Sequence, residues 1–236
     1  PEMSINPLWI LALLVIVGFL LSRVSTNKPK VASIYSASDT AGGYCVPPDA
    51  TLKTYDPTPC ELISVAGPVQ VYSHSINGLK LSELLTGGNV ALGVPGIGEE
   101  GVTVRPFKEQ LASDPSEIIV VGAGMVDCFF TDISLLAYME LVDEAVGCIH
   151  DARKIPVIRG YHQFIETPLM TSAVLARREL FNRTLQKYCE SMKVEFLDCA
   201  SVEFNGAEDL APDLLHPSAE YHKRLAVFIA GRLAQI

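Results

Sequence analysis

The sequence predicts an α/β fold: a doubly wound sandwich in which a parallel sheet of five strands carries helices on both faces. Three observations support this. From residue 31 onward, short apolar runs alternate with segments of helical periodicity. One run, Glu117 to Val121 (EIIVV), is almost uniformly apolar, as a central strand buried on both faces must be. No internal repeat divides the 236 residues, a length that suits one well-cored domain with a small appended element.

The appended element comes first. Leu8 to Leu21 (LWILALLVIVGFLL) is 14 consecutive apolar or glycine residues. As a helix this run spans about 21 Å, short of the roughly 30 Å hydrocarbon core, but Met3–Pro7 and Val24–Thr26 extend it as interfacial flanks. We therefore expect a retained anchor touching the membrane through residues 5–24, with a helix packed on a protein partner as the alternative. A cleaved signal peptide fits less well, because Glu2 is the only charged residue ahead of the run and no A-x-A site follows. Arg23, Lys28 and Lys30 lie just after it, which favours the cytoplasmic side for the domain that follows. The division is thus an anchor and linker over 1–30 and a domain over 31–236.

Val31–Tyr35 (VASIY) reads as the first strand, and the Gly- and Pro-rich stretch 42–60 as a loop. Pro68–Ser75 alternates and reads as an edge strand or small hairpin. Leu79–Leu85 is a short helix, and Asn89–Val94 (NVALGV) the next core strand. After Glu117–Val121, residues Ile133–Ala152 repeat apolar side chains at Leu136, Met139, Val142, Ala145 and Ile149, a helical spacing. Lys154–Arg159 is the fourth strand. Ser172–Met192 is a helix with Leu175, Leu180, Leu185, Tyr188 and Met192 on one face. Val194–Leu197 is the fifth strand. Pro217 opens a last helix that buries Tyr221, Leu225, Phe228, Ile229 and Leu233.

Composition excludes some functions. A net charge of −9, with no cluster among 18 Lys and Arg, argues against a nucleic-acid partner. Six cysteines without a CxxC pair or Cys/His ligand spacing argue against a structural zinc site. Cys45 and Cys60 share one loop and suit a disulfide in an oxidising compartment; buried thiols are the alternative.

In such folds ligands sit beyond the carboxyl ends of the strands. After the first strand comes Ser36-Ala37-Ser38-Asp39-Thr40-Ala41-Gly42, a turn able to expose a serine beside backbone amides, although Ser, Asp and Thr are also ordinary capping residues. Before the last helix comes Asp213-Leu214-Leu215-His216-Pro217. This spacing lets one turn present both side chains to one cleft, with Asp fixing the tautomer and His acting as general base. His162 follows the fourth strand and is a candidate for the cleft wall, while His74, His150 and His222 fall on patterned elements and read as surface residues. Asp127 reads as structural, bracing a loop through backbone amides. Gly122-Ala123-Gly124 lacks the third glycine and the acidic partner of a nucleotide-binding turn.

Over residues 31–236 the chain resembles the SGNH, or GDSL-like, hydrolase family. The family's first block, G-D-S-x-T-x-G, is matched by Ser36 to Gly42, with the nucleophile at Ser38. Its second, a glycine whose amide enters the oxyanion hole, is matched by Val94-Pro95-Gly96-Ile97-Gly98, hence Gly96. Its third, G-x-N-D, is matched by Gly124-Met125-Val126-Asp127, and its last, D-x-x-H, by Asp213 and His216. The resemblance implies a flavodoxin-like three-layer sandwich and a triad of Ser38, His216 and Asp213. It also implies an oxyanion hole of the Ser38 and Gly96 amides, with Asp39, Val126 and His162 as cleft candidates. The substrate it implies is a carboxylic ester, either a lipid acyl group or a glycan acetyl group, and no cofactor or metal is required. Three departures stand out: Ala37 replaces the Asp before the nucleophile, Val94 the usual Asn of the second block, and Val126 the Asn of the third. A reading from another class follows from them, namely a catalytically degenerate, membrane-associated structural or binding protein within an oligomer or larger assembly. An acyltransferase using the same triad differs from a hydrolase only in the acceptor.

Overall fold

The computed structural model describes residues 29–37, 41, 43–46, 51–90, 102–122 and 124–236. The strands are β1 (Lys30–Tyr35), β2 (Gly43–Val46), β3 (Thr51–Thr54), β4 (Val69–Ser73), β5 (Gly88–Asn89), β6 (Thr103–Val104), β7 (Ile118–Val121), β8 (Ile155–Arg159) and β9 (Glu195–Leu197). The helices are α1 (Pro59–Ala66), α2 (Leu81–Thr86), α3 (Phe107–Ser113), α4 (Met125–Phe130), α5 (Leu135–Asp151), α6 (Ser172–Met192) and α7 (Ala219–Leu233).

Five strands form one sheet in the order β4-β1-β7-β8-β9, every pair parallel. This is a flavodoxin-like order, and both faces are covered because parallel connections lay helices across them. The period of two along each strand divides the core in two. Tyr35, Ile119, Val121 and Ile158 face a layer containing Phe107 of α3, Tyr138 and Ile149 of α5, and Phe181 of α6. Ala32, Ile34, Val120 and Val157 face the other layer, built on Ile63 of α1 and Tyr221, Leu225 and Ile229 of α7. Beneath β1 a buried carboxylate braces the sheet: Asp114 accepts from Ser33 Oγ at 3.0 Å and from Tyr35 Oη at 2.7 Å.

The predicted strand count holds, but one strand is reassigned. Asn89–Val94 was expected in the central sheet; instead, Gly88 and Asn89 pair antiparallel with β6 in a small separate ladder, and residues 91–101 lie outside the described residues. The fifth place belongs to β4. Its alternating burial is that of an edge strand with one face toward solvent, which local pattern ranks below a uniformly apolar run.

Helix α6 matches its expected range, but its buried side chains are Phe181, Asn182, Leu185 and Cys189, while Leu180 and Met192 are exposed. Phe181 stacks on Tyr138 at 5.0 Å, and that contact sets the rotation of the helix. Leu136 of α5 is likewise exposed, with Tyr138 and Val146 buried in its place. Helix α7 buries Tyr221, Leu225, Ile229 and Leu233 as expected, yet it starts at Ala219 under a Ser218 cap, so Pro217 precedes the cap. The stretch 42–60, read as loop, instead carries the antiparallel pair β2–β3, and helix α1 begins at its end. Thr58 and Glu61 form a capping box around Pro59, with Thr58 N donating to Glu61 Oε2 at 2.7 Å. Among the described residues no helix is long and apolar enough to cross a membrane, and the apolar run 8–21 lies outside them.

Candidate active site

The strand order reverses direction between β1 and β7, the point beyond whose carboxyl ends ligands sit in sheets of this kind. Three strand ends are level there. Ser36 follows β1, Gly122 follows β7, and Arg159 ends β8; Ser36 and Arg159 are both buried. Gly122 is glycine because these chains crowd it. A Cβ there would lie 2.6 Å from Ser36 Oγ and 3.5 Å from Arg159 Cδ. Ser38 and Asp39, the expected nucleophile and its neighbour, lie outside the described residues, as does Gly96.

Asp213 and His216 are brought together by a tight reversal before α7. Leu210 and Pro217 bridge antiparallel, Ala211 N donates to His216 O at 2.7 Å, and Leu214 at the tip takes a left-handed φ of 54°. Inside this reversal both Asp213 oxygens are occupied. Oδ1 accepts the backbone N–H groups of Leu215 and His216, each at 3.0 Å, and Oδ2 meets His216 Nδ1 at 2.7 Å. The carboxylate therefore fixes its own turn and the imidazole at once. With Nδ1–H donating to it, Nε2 keeps the lone pair a general base needs. Both side chains are largely buried, and in low dielectric such a pair is strongly oriented.

The third-block residues divide into an apolar position and a brace. Val126 is buried in the first turn of α4. Asp127 accepts from Leu81 N at 2.9 Å, joining α4 to the start of α2, the structural role expected of it; burial raises its pKa, with the Leu81 hydrogen bond opposing. Gly124 caps α4 at φ 118°, and a Cβ there would sit 2.3 Å from Tyr138 Oη.

His162 is fully buried just past the end of β8, its ring 4.2 Å from that of Phe164. Among the described residues neither ring nitrogen has a hydrogen-bond partner. Burial first, then the Arg159 cation, with His222, Arg178 and His216 adding, push its pKa well below the ordinary histidine value. His222, expected at the surface, is also buried. It lies in the first turn of α7, with the Tyr55 ring edge-on at 5.2 Å, because α7 is covered over a broader arc than its apolar residues alone define. Its pKa falls to about 3, chiefly through burial, with Arg159 and His216 adding. His74 stacks on Tyr35 at 4.5 Å, and His150 is exposed.

Two features escaped the sequence reading. Arg159 places a buried cation at the carboxyl end of β8, yet at the end of an apolar run it read simply as a strand terminus. The loop 74–80 lies beside the Ser36 segment: His74 N donates to Ile34 O at 2.8 Å and Ile76 N to Ser36 O at 3.0 Å. Its Asn77-Gly78 dipeptide was a turn signal directly after an alternating strand, and that was the available clue. Among the described residues no group of three or more His, Cys, Asp or Glu is placed to hold a metal ion. Cys128, Cys148 and Cys189 are buried thiols, and the Cys45 side chain lies outside the described residues.

No protein-family model matches the chain, and no curated protein matches it by sequence. Solved structures do match. A GDSL-like lipase from Bacteroides thetaiotaomicron superposes with a TM-score of 0.61 at 11% identity, over 92% of this chain and 96% of that one. A lipolytic protein of the G-D-S-L family from Veillonella parvula gives 0.62 at 13% identity, over 88% and 100%. An acetylxylan esterase from Geobacillus stearothermophilus gives 0.58 at 15% identity, over 86% and 94%. The chain has the fold of the GDSL-like lipases and acylhydrolases.

Proposed function

We propose that this chain is a serine ester hydrolase acting on a carboxylic ester through Ser38, His216 and Asp213. One observation carries the reading: an Asp whose two oxygens hold both its own turn and the Nδ1 of a buried His, in the last loop of a GDSL-type fold. A capping Asp needs only the backbone contacts; the added imidazole contact is what general-base catalysis requires.

In this mechanism His216 Nε2 takes the Ser38 Oγ proton as Oγ attacks the ester carbonyl. Asp213 holds the resulting imidazolium, and backbone amides, those of Ser38 and Gly96 in the family pattern, stabilise the oxyanion. His216 then protonates the departing alkoxide, and water releases the acid from the acyl-enzyme by the same route reversed. The fold relatives include a lipase and an acetylxylan esterase, so the acyl group is either a lipid chain or an acetyl group on a glycan. Residues 5–24 attach the enzyme to a membrane in this reading, on the strength of the apolar run 8–21.

Labelling of the full chain with a fluorophosphonate probe, beside Ser38→Ala and His216→Ala variants, tests the proposal. Labelling of wild type lost in both variants is the expected result. A well-folded wild type that does not label overturns it. The buried Val126 in place of a donor would then mark the chain as a binding protein on a hydrolase scaffold.

A further inference from the structure

At the amino ends of β7 and β8, the end of the sheet opposite Ser36 and Arg159, the chain holds a cavity of about 390 Å³. Its volume falls in the range of small-molecule pockets. It lies between α3 and the last turn of α5, and Leu111, Ala112 and Ala152 give it an apolar wall. Lys108, Lys154 and Asp151 bring charge to the same lining.

Lys154 is half-buried, and its ammonium donates to Asp114 O at 2.7 Å and to Ser116 O at 2.6 Å. Both acceptors are neutral carbonyls, so a third donor and the charge itself are left over. The Asp114 carboxylate, although it lines the cavity, is committed to Ser33 Oγ, Tyr35 Oη and Ser116 N. Asp151 is the last residue of α5, where a carboxylate stands against the helix dipole. Among the described residues, none of Lys108, Asp151 and Lys154 takes part in an ion pair. Lys108 and Asp151 nonetheless both act on the buried Cys148: burial raises the pKa of its thiol, Lys108 opposes, and Glu144 and Asp151 add. One cavity thus holds two cations and an anion that do not neutralise one another within the chain. A simple anion would meet Asp151 there, and a simple cation the two lysines. A zwitterion answers all three.

We propose that this cavity is a ligand site separate from the catalytic one and takes a free amino acid with an apolar side chain. Lys154 and Lys108 hold its carboxylate, Asp151 its ammonium, and Leu111, Ala112 and Ala152 its side chain. The inference does not depend on the serine-hydrolase reading, since none of these residues belongs to the triad.

Isothermal titration calorimetry of the full chain with L-leucine tests this, beside leucinamide, which lacks the carboxylate, and N-acetyl-L-leucine, which lacks the ammonium. Saturable binding of L-leucine is expected, with each derivative weaker by about tenfold or more. Lys108→Met and Asp151→Asn each remove one charge at an exposed position. Each is expected to weaken L-leucine by about tenfold or more, with the melting temperature close to wild type. Lys154 stays in place, because its two carbonyl bonds tie the start of β8 to the segment before β7. Ser38→Ala is expected to bind L-leucine as wild type does. No saturable binding of L-leucine up to about 10 mM overturns the inference. N-acetyl-L-leucine binding as tightly as L-leucine, or binding unchanged in Asp151→Asn, overturns it as well, because the site then reads only an anion. Loss of binding in Ser38→Ala also overturns it, by placing the amino acid at the other end of the sheet. Failure of the fluorophosphonate labelling leaves these outcomes unaltered and bears on the serine-hydrolase reading alone.

Discussion

Asp213 joins two functions that are separable by substitution. Asp213→Asn keeps an oxygen for the Leu215 and His216 amides but turns an NH₂ toward Nδ1, which selects the wrong imidazole tautomer. The expected result is a kcat lower by about 10⁴-fold, with the melting temperature nearly unchanged, read from ester hydrolysis and calorimetry together. The neighbouring buried histidines govern acid stability instead. His222 takes a proton at pH about 3 in the folded chain, and at about 6.5 when unfolded. Between those values the unfolded state binds more protons, so stability falls as pH drops from about 6.5 toward 3, by up to about 1.4 kcal/mol per pH unit. His162, also pushed down by burial, acts in the same sense. Replacing His222 by Gln is expected to flatten melting temperature against pH over this window; a curve parallel to wild type would sink the assignment.

Elements in this protein are fixed at their ends as much as by their faces. Helix α6 closes on Lys193 in the left-handed region, φ 55°, with Val194 N donating to Cys189 O at 2.9 Å. A side chain there costs about 1 kcal/mol relative to glycine. Lys193→Gly is therefore expected to raise the melting temperature by about 2–4 °C, and a lower value would count against the cap. Helix α4 starts from the opposite situation. Gly124→Ala combines φ 118° with a 2.3 Å approach to Tyr138 Oη, and we expect it to lower stability by more than about 2 kcal/mol in a denaturant titration. Gly122→Ala drives a methyl to 2.6 Å from Ser36 Oγ. Its expected signature differs: a folded protein whose fluorophosphonate labelling is strongly reduced, because the displaced segment leads to Ser38.

At the scale of the molecule, an all-parallel sheet needs both faces covered, and one face here depends on α7 with α1. Leu225, buried in that layer, is expected to cost about 2–5 kcal/mol on change to alanine, whereas Val227, exposed on the same helix, is expected to stay within about 0.5 kcal/mol. Chemical denaturation of both variants checks the pair. The same helix begins at Ala219, shortly after His216, so the layer that closes the core also anchors the reversal that holds Asp213 and His216 together.

Local information settled much of this. Short strand runs marked β1, β7, β8 and β9, helical periodicity marked α5 and α6, and D-x-x-H named a pair whose geometry is closed within four residues, so it was legible from sequence order alone. What local pattern left open was adjacency. That β4 lies beside β1, that Ile76 thereby reaches the Ser36 segment, and that Arg159, His162 and His222 gather as a buried basic group are all non-local outcomes. Strand neighbours and helix rotation follow from which crossover packs both sheet faces without leaving polar groups unsatisfied, a condition on the whole chain. No window of ten or so residues contains that condition, and for this reason the Asp213–His216 pair was visible in the sequence while the buried cluster of Arg159, His162 and His222 was not.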